Sequence, residues 1–429
     1  LFYCILCLGK DMVIIISQVS EFISKNFKHT ICCKKNDAGN LIGLPYPYTT
    51  PCAGECFIEM YYWDTYFINV GLLATGNIEQ AKYNADNIRF LINKYGYMPN
   101  GNRITFLGAT QPPFYFKMVE EIFEYTDDKD WLSESYAAIA KEYSYWQNHR
   151  SAPNGLNIYG NHSNFSSEIT ERKYNYFKSR FKGFEAKDER EKSSCAHTIT
   201  TLTESGWDCS SRFENSGEFY NPIDLNSLLY GLEKAMEGFS LIIGSGESEL
   251  WKERAENRKK RIYKYMFDES SDVFLDWNYK ENHYSPVFSV ASLYPFFVGI
   301  SEQAESTVTR FEEKLLTKFG AAACEKGNYH YDLQWDYPYI WAPLQYISYI
   351  ALERCGYKAL AETVARSYIN LIDGNFAETG NLWEKYNGLN GEVANADYNA
   401  PKMMGWTAGI YMFFCKELNM DFPKSFCVI

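Results

Sequence analysis

Apolar residues recur along this chain mostly at the spacing of amphipathic helices. After Gly76, Asn77 is placed to cap a helix carrying Ile78, Ala81, Ala85, Ile88 and Ile92, which stops near Gly96. Glu249 to Met266 sets Leu250, Ala255, Ile262 and Met266 among charges. Ala304 to Phe319 repeats the pattern with Val308, Phe311, Leu315 and Phe319, and Gly320 ends it. Leu344 to Ile372 reads as two helices parted at Gly356. Strand-like alternation is sparse; stretches such as Val273-Phe274-Leu275 fit small strands within loops.

Long loops rich in Gly, Pro, Asn and aromatics separate these helices. Loops that long in a compact domain usually carry function. The pattern predicts an all-α toroid of helical hairpins, with a site where the loops converge. An α-solenoid competes, but no repeat recurs at a fixed period. No linker or low-complexity run interrupts the chain, so residues 21–429 read as one domain and residues 1–20 as a separate N-terminal segment. That segment is apolar but broken by Gly9-Lys10-Asp11, too short to span a bilayer. It fits a truncated signal core or a region ahead of a start at Met12.

Composition narrows the partners. The net charge of −12 argues against nucleic acid or an anionic membrane surface and leaves a neutral small molecule unopposed. Aromatics reach 17%, which fits an aromatic-rich core and equally a carbohydrate site, where ring faces stack on sugars. The 12 cysteines include Cys4-x-x-Cys7 and Cys32-Cys33, but no second pair stands at zinc spacing. Free thiols in a reducing, cytoplasmic compartment are the expectation, with secretion the alternative, and neither metal nor cofactor is expected. The histidines are scattered singly; His283 stands in a loop where surface placement competes with a place near the site.

Certain loop segments concentrate carboxylates, amides and aromatics. They are Glu59 to Asp64, Pro99 to Arg103 with Gln111 to Phe114, Glu204 to Arg212, Gln334 to Pro338 with Trp341 to Gln345, and Trp383 to Asn387. Sugar hydroxyls need bidentate donors and acceptors, the ring needs an aromatic wall, and glycoside hydrolysis needs one protonated and one ionised carboxyl. An inverting enzyme holds that pair about 6.5–9.5 Å apart to admit water. Each segment alone also fits an Asp capping a helix beside a Trp; their joint presence is what favours a sugar site.

These segments carry a resemblance. LPYPYTTP with EMYYWDTYF, MPNGNR with QPPF, ESGWDCSSR, PIDLNSLLY, QWDYPYIWAPLQ, EKYN and GWTAG follow, in order, the pattern of the trehalase family from about residue 20 onward. The resemblance implies an (α/α)6 barrel and an inverting mechanism without cofactor. It implies Asp208 as general acid and Glu384 as general base. It also implies substrate binding by Trp63, Asp64, Asn100 and Trp335, with Gln111, Trp207, Arg212, Asp336 and Asp397 as further candidates. Trp207 beside Asp208 is expected to raise the acid's pKa, and Lys385 beside Glu384 to favour the ionised base. A plain surface Glu–Lys pair is the competing reading of Glu384.

The chain departs from the family at the arginines that bind the disaccharide. Ile58 and Ala109 stand where two are expected, and residues 155–195 lack the Arg-Pro-Glu-Ser motif, offering only Arg172, Arg180 and Arg190. Arg103 and Arg212 are the other candidates to reach those points. The retained carboxyls favour an inverting α-glucosidase acting on trehalose or a related glucoside. A non-catalytic carbohydrate-binding or sensing protein on the same scaffold is the alternative, and a helical scaffold for protein partners a third class.

Overall fold

A computed structural model describes residues 18–420 apart from 55, 161–164, 328–331, 396, 397 and 403. The segment singled out as residues 1–20 therefore lies almost wholly outside the described residues. The helices are α1 (18–26), α2 (Tyr62–Ala74), α3 (Ile78–Tyr95), α4 (Tyr115–Thr126), α5 (Lys129–His149), α6 (Ser167–Arg180) and α7 (Glu189–Ser205). They continue as α8 (Ile223–Ile243), α9 (Ser248–Met266), α10 (Tyr294–Phe297), α11 (Glu305–Lys314), α12 (Ala342–Arg354), α13 (Lys358–Thr379) and α14 (Gly405–Glu417).

Burial sorts them into two layers. α2, α8, α12 and α14 bury nearly every residue over their first turns, as a helix enclosed on all sides must. With α4 and α10 they form a closed inner ring, in which each packs on the next and α14 returns to α2. α3, α5, α9, α11 and α13 alternate with them outside, each burying one stripe. α1 completes that layer, where Phe22 meets Phe376 of α13 edge-on at 5.1 Å. This is an (α/α)6 barrel. The ring closes tightly because Gly71 of α2 faces Gly409 of α14, where a Cβ on Gly71 would collide with the Gly409 backbone. Each Leu or Ile fully buried between the layers contributes about 1.5–3 kcal/mol.

The expected helix starting after Asn77 forms and ends at Gly96 in a left-handed cap (φ 91°), but the Asn77 amide bonds Thr75 rather than capping. The break at Gly356 (φ 83°) is also present. The helix expected through Phe319 stops at Lys314 instead. Leu316-Thr317 pairs with Gly320-Ala321 in a hairpin, where the Thr317 hydroxyl donates to Gly320 O and accepts from Phe319 N. A β-branched hydroxyl residue competing for local backbone groups unwinds the end that hydrophobic spacing alone extends. Val273-Phe274 is a strand paired with Phe267-Asp268.

Between the second and third inner helices the chain inserts the hairpin α6–α7. It has its own apolar cluster of Tyr174, Phe177, Phe181, Cys195, Ile199 and Leu202, which continues to Cys209, Phe213, Tyr220 and Leu333. This insertion positions the loop that follows α7. The cysteines among the described residues are free thiols.

Candidate active site

Residues at or just before the first turns of the inner helices α2, α4, α12 and α14 bound a cavity of about 240 Å³. Trp63 and Asp64 come from the first turn of α2, Gln111 precedes α4, Trp341 precedes α12, and Met404 and Trp406 flank the start of α14. Thr203, Gly206 and Asp208 enter from the end of α7. Asn100, Gln334, Trp335, Glu384 and Tyr398 enter from loops.

Tryptophans build one wall. Trp335 stacks on Trp341 at 3.8 Å and on Trp207 at 5.7 Å, while Trp63 meets Trp335 at 5.5 Å and Trp406 at 6.1 Å. Two of their N–H groups brace the loops that carry chemistry: Trp341 donates to Gln334 O, and Trp406 to Glu384 O. Gly206 makes this packing possible. It has φ 77°, and a Cβ there would sit 2.6 Å from the Trp63 ring. Tyr61 meets both Phe57 and Phe106, and the three form an aromatic rim.

The motif residues outside the cavity explain how the loops are aimed. Glu204 accepts from Arg150 Nε and Nη2 (3.2 and 2.8 Å), Thr110 N (3.2 Å) and Gly160 N (2.5 Å), tying three loops to the end of α7. Asp336 accepts from Ser210 Oγ and Ser211 N at 2.9 and 3.0 Å, and Trp335 N donates to Cys209 O. These clips hold Cys209, next to Asp208, at φ 61°, a conformation that costs a non-glycine residue about 1–2 kcal/mol. Gln111 Oε1 accepts from Trp63 N, and Asn100 O from Tyr62 N, so both fix the start of α2.

Glu384 precedes the strand Lys385–Asn387, which pairs antiparallel with Tyr339–Trp341 in a register that sets Lys385 opposite Trp341. The residue is 4% exposed, so the surface-pair reading fails. Tyr398 OH donates to Oε1 at 2.6 Å and Lys385 Nζ to Oε2 at 3.4 Å. Burial raises the Glu384 pKa above the ordinary range, and Lys385 and Tyr398 only partly oppose it. Lys385 thus acts in the expected direction but does not win. Asp64, buried among Glu384 and Asp208, is pushed up to about 8, chiefly by desolvation.

Of the residues singled out from sequence, Trp63, Asp64, Asn100, Gln111, Asp208, Trp335 and Glu384 line the cavity together. Trp207 backs the wall behind Trp335, and Asp336 clips the loop. Arg212 is not at the cavity: it is fully buried and its guanidinium is committed to Asp224 and Asp276, with contacts of 2.6 Å to each. Asp397 lies outside the described residues. Arg103 pairs with Glu59, and Arg190 lines a separate surface groove. Among the described residues no arginine or lysine lines the cavity. Sequence reasoning passed over Tyr61, Gln334, Trp341 and Trp406, although each lies inside a segment it quoted. Phe57 and Phe106 carried no chemical signal, because only folding brings them to the rim.

The family model for trehalase matches residues 11–419. The chain belongs to the trehalase family. The periplasmic trehalase of Xanthomonas campestris pv. campestris (strain B100) is 31% identical over 397 residues, covering 86% of this chain and 68% of the relative. The structure of neutral trehalase from Saccharomyces cerevisiae is 27% identical with a TM-score of 0.74, covering 87% of this chain and 74% of that one. A mannosylglycerate hydrolase from Thermus thermophilus, solved with Tris and D-glycerate, shares the fold at TM-score 0.59 and 15% identity, over 92% and 98% of the two chains. As a trehalase-family member the chain is a glycosidase acting on a small sugar substrate. Among the described residues no helix is long and apolar enough to cross a membrane.

Proposed function

We propose that this glycosidase hydrolyses an α-glucosidic bond with inversion, Asp208 protonating the leaving oxygen and Glu384 taking a proton from the attacking water. The observation that carries this reading is the meeting of Asp208, Glu384 and Asp64 at one cavity beside a tryptophan wall. The wall and Asp64 would hold the sugar being cleaved, with Asn100, Gln111 and Gln334 supplying amides. A base with a raised pKa is matched to proton transfer nearer neutral pH. A sugar-binding or sensing protein would have no use for a buried, hydrogen-bonded Glu384 facing a second carboxyl.

Trehalose, named in the relatives, is the reference substrate. Among the described residues no cation lines the cavity, which bears on the leaving-group half, since each hydrogen bond to a charged group contributes about 1.5–3 kcal/mol. Trehalose is therefore expected to turn over less efficiently than another α-glucoside with a less demanding leaving group. A kcat/KM for trehalose above about 10⁴ M⁻¹s⁻¹, and above every other glucoside tested, would refute that specificity argument. For the mechanism, Asp208→Asn and Glu384→Gln should each lower kcat/KM by at least about 10²-fold, with the inverted anomer seen first by proton NMR. Release of the retained anomer, or full activity in either variant, would overturn the assignment. The periplasmic name of the bacterial relatives and the thiol-based cytoplasmic expectation demand different compartments, which fractionation with a thiol-alkylation readout separates.

A further inference from the structure

Glu384 is held from two sides by a single residue of another loop. The Tyr398 hydroxyl donates to Oε1 at 2.6 Å, and the same ring carries the Lys385 ammonium 3.6 Å from its centroid. Lys385 Nζ in turn donates to Glu384 Oε2 at 3.4 Å and to Gln334 Oε1 at 2.7 Å, and lies 5.1 Å from the Trp341 ring centroid. Tyr398 thus touches one carboxylate oxygen directly and steadies the cation on the other. It also lines the cavity and keeps 36% of its surface exposed, so it stands at the solvent side of the base.

A general base must present a lone pair to water in one orientation, and a lone buried carboxylate is free to rotate about its last torsion. Engaging both oxygens with donors from different segments removes that freedom while leaving further lone pairs for the water. We propose that Tyr398 is a positioning residue for Glu384, its hydroxyl orienting the carboxylate and its ring holding Lys385 in place. The inference rests on the reading of Glu384 as the base.

The surroundings make the hydroxyl consequential. Lys385 and Tyr398 favour the ionised carboxylate. Asp64 of α2 and Cys52 of the preceding loop face it with like charge when ionised, and Asp208 acts on both Asp64 and Tyr398. Removing one of two favourable donors therefore raises the pKa of the base further and loosens its orientation.

Tyr398→Phe keeps the ring and its contact with the ammonium but deletes the hydroxyl; Tyr398→Ala deletes both. Both are assayed as pH profiles of kcat and kcat/KM on a chromogenic α-glucoside that the wild type cleaves, beside melting curves. The Phe variant is expected to lose about tenfold or more in kcat below neutral pH, with its acid limb moved up by about one pH unit and its melting temperature unchanged. The Ala variant should lose more. An acid limb that stays in place in the Phe variant, whatever its rate, would overturn the proposal, as would wild-type kinetics. Glu384→Gln is measured in parallel. If it is fully active, the base assignment itself fails; if it is inactive and the Phe limb has not moved, only the role of Tyr398 fails.

Discussion

Glu204→Gln tests how the barrel aims its acid. The carboxylate is almost fully buried and accepts only from N–H donors: Oε1 from Thr110 N and Arg150 Nη2, Oε2 from Gly160 N and Arg150 Nε. A glutamine of the same shape must turn an NH2 toward one of these donor pairs and leaves the Arg150 charge buried without its counter-charge. Breaking one partner of such a pair costs about 3–5 kcal/mol. With about 2.1 cal/mol/K of unfolding entropy per residue, a chain of 429 residues has an entropy near 0.9 kcal/mol/K. The melting temperature should then fall by about 3–6 °C. Activity should fall as well, because the same carboxylate ties Thr110, next to Gln111, to the end of α7 just before Asp208. Replacing both partners, as Glu204→Leu with Arg150→Met, should recover part of the stability, since no charge is then stranded. Calorimetry on the single and double variants, with kcat/KM alongside, is the measurement. A Glu204→Gln protein melting within a degree of wild type would refute the account of this carboxylate as the counter-charge of Arg150.

Glu142 gives a pH test. Its Oε2 accepts from Tyr62 OH while Oε1 has no protein partner, and burial pushes its pKa from 4.5 to about 8. Between those values the folded state stays protonated while the unfolded state ionises, so this group lowers stability as pH rises, by about 1.4 kcal/mol per unit. Glu142→Gln should therefore gain on wild type between pH 5 and pH 8 in melting curves, and a constant difference across that range would contradict the argument. Gly206→Ala forces a left-handed alanine and drives a methyl into Trp63. It should cost at least about 1–2 kcal/mol and lower kcat/KM, and unchanged turnover would show that the Trp63 wall tolerates displacement.

The residues that carry chemistry were legible in order along the chain because hydrolysis of a glycoside restricts them to few types. Two carboxyls, an aromatic wall and amides stand together in short segments, and Asp64, Asp208 and Glu384 emerge from them. Helical spacing likewise marked the outer helices α3, α9 and α13, since one buried stripe per outer helix imposes a local period, and of the inner ring it marked α12. The inner helices α2, α8 and α14 left no such stripe, being buried on nearly all sides over their first turns, and the α6–α7 hairpin was not read at all because its stripe is short and its surface charged. Residue type also could not separate a contact with substrate from a contact that aims a loop. Arg212 and Asp336 share their segments with Asp208 and Trp335, yet their charges are spent inside the fold on Asp276, Asp224 and the Ser210-Ser211 backbone and hydroxyl. The pKa of Glu384 was misjudged for a related reason: Lys385 is adjacent in sequence, whereas the desolvation that outweighs it comes from tryptophans and loops scattered along the chain. The partnership of Tyr398 with Glu384 was beyond any local reading, because it exists only where two loops meet at the same end of the barrel. The sequence by itself determined which groups are present and the periodicity that winds most of the helices. Tertiary structure alone decided which of those groups face the cavity, because burial and pairing are properties of distance in space.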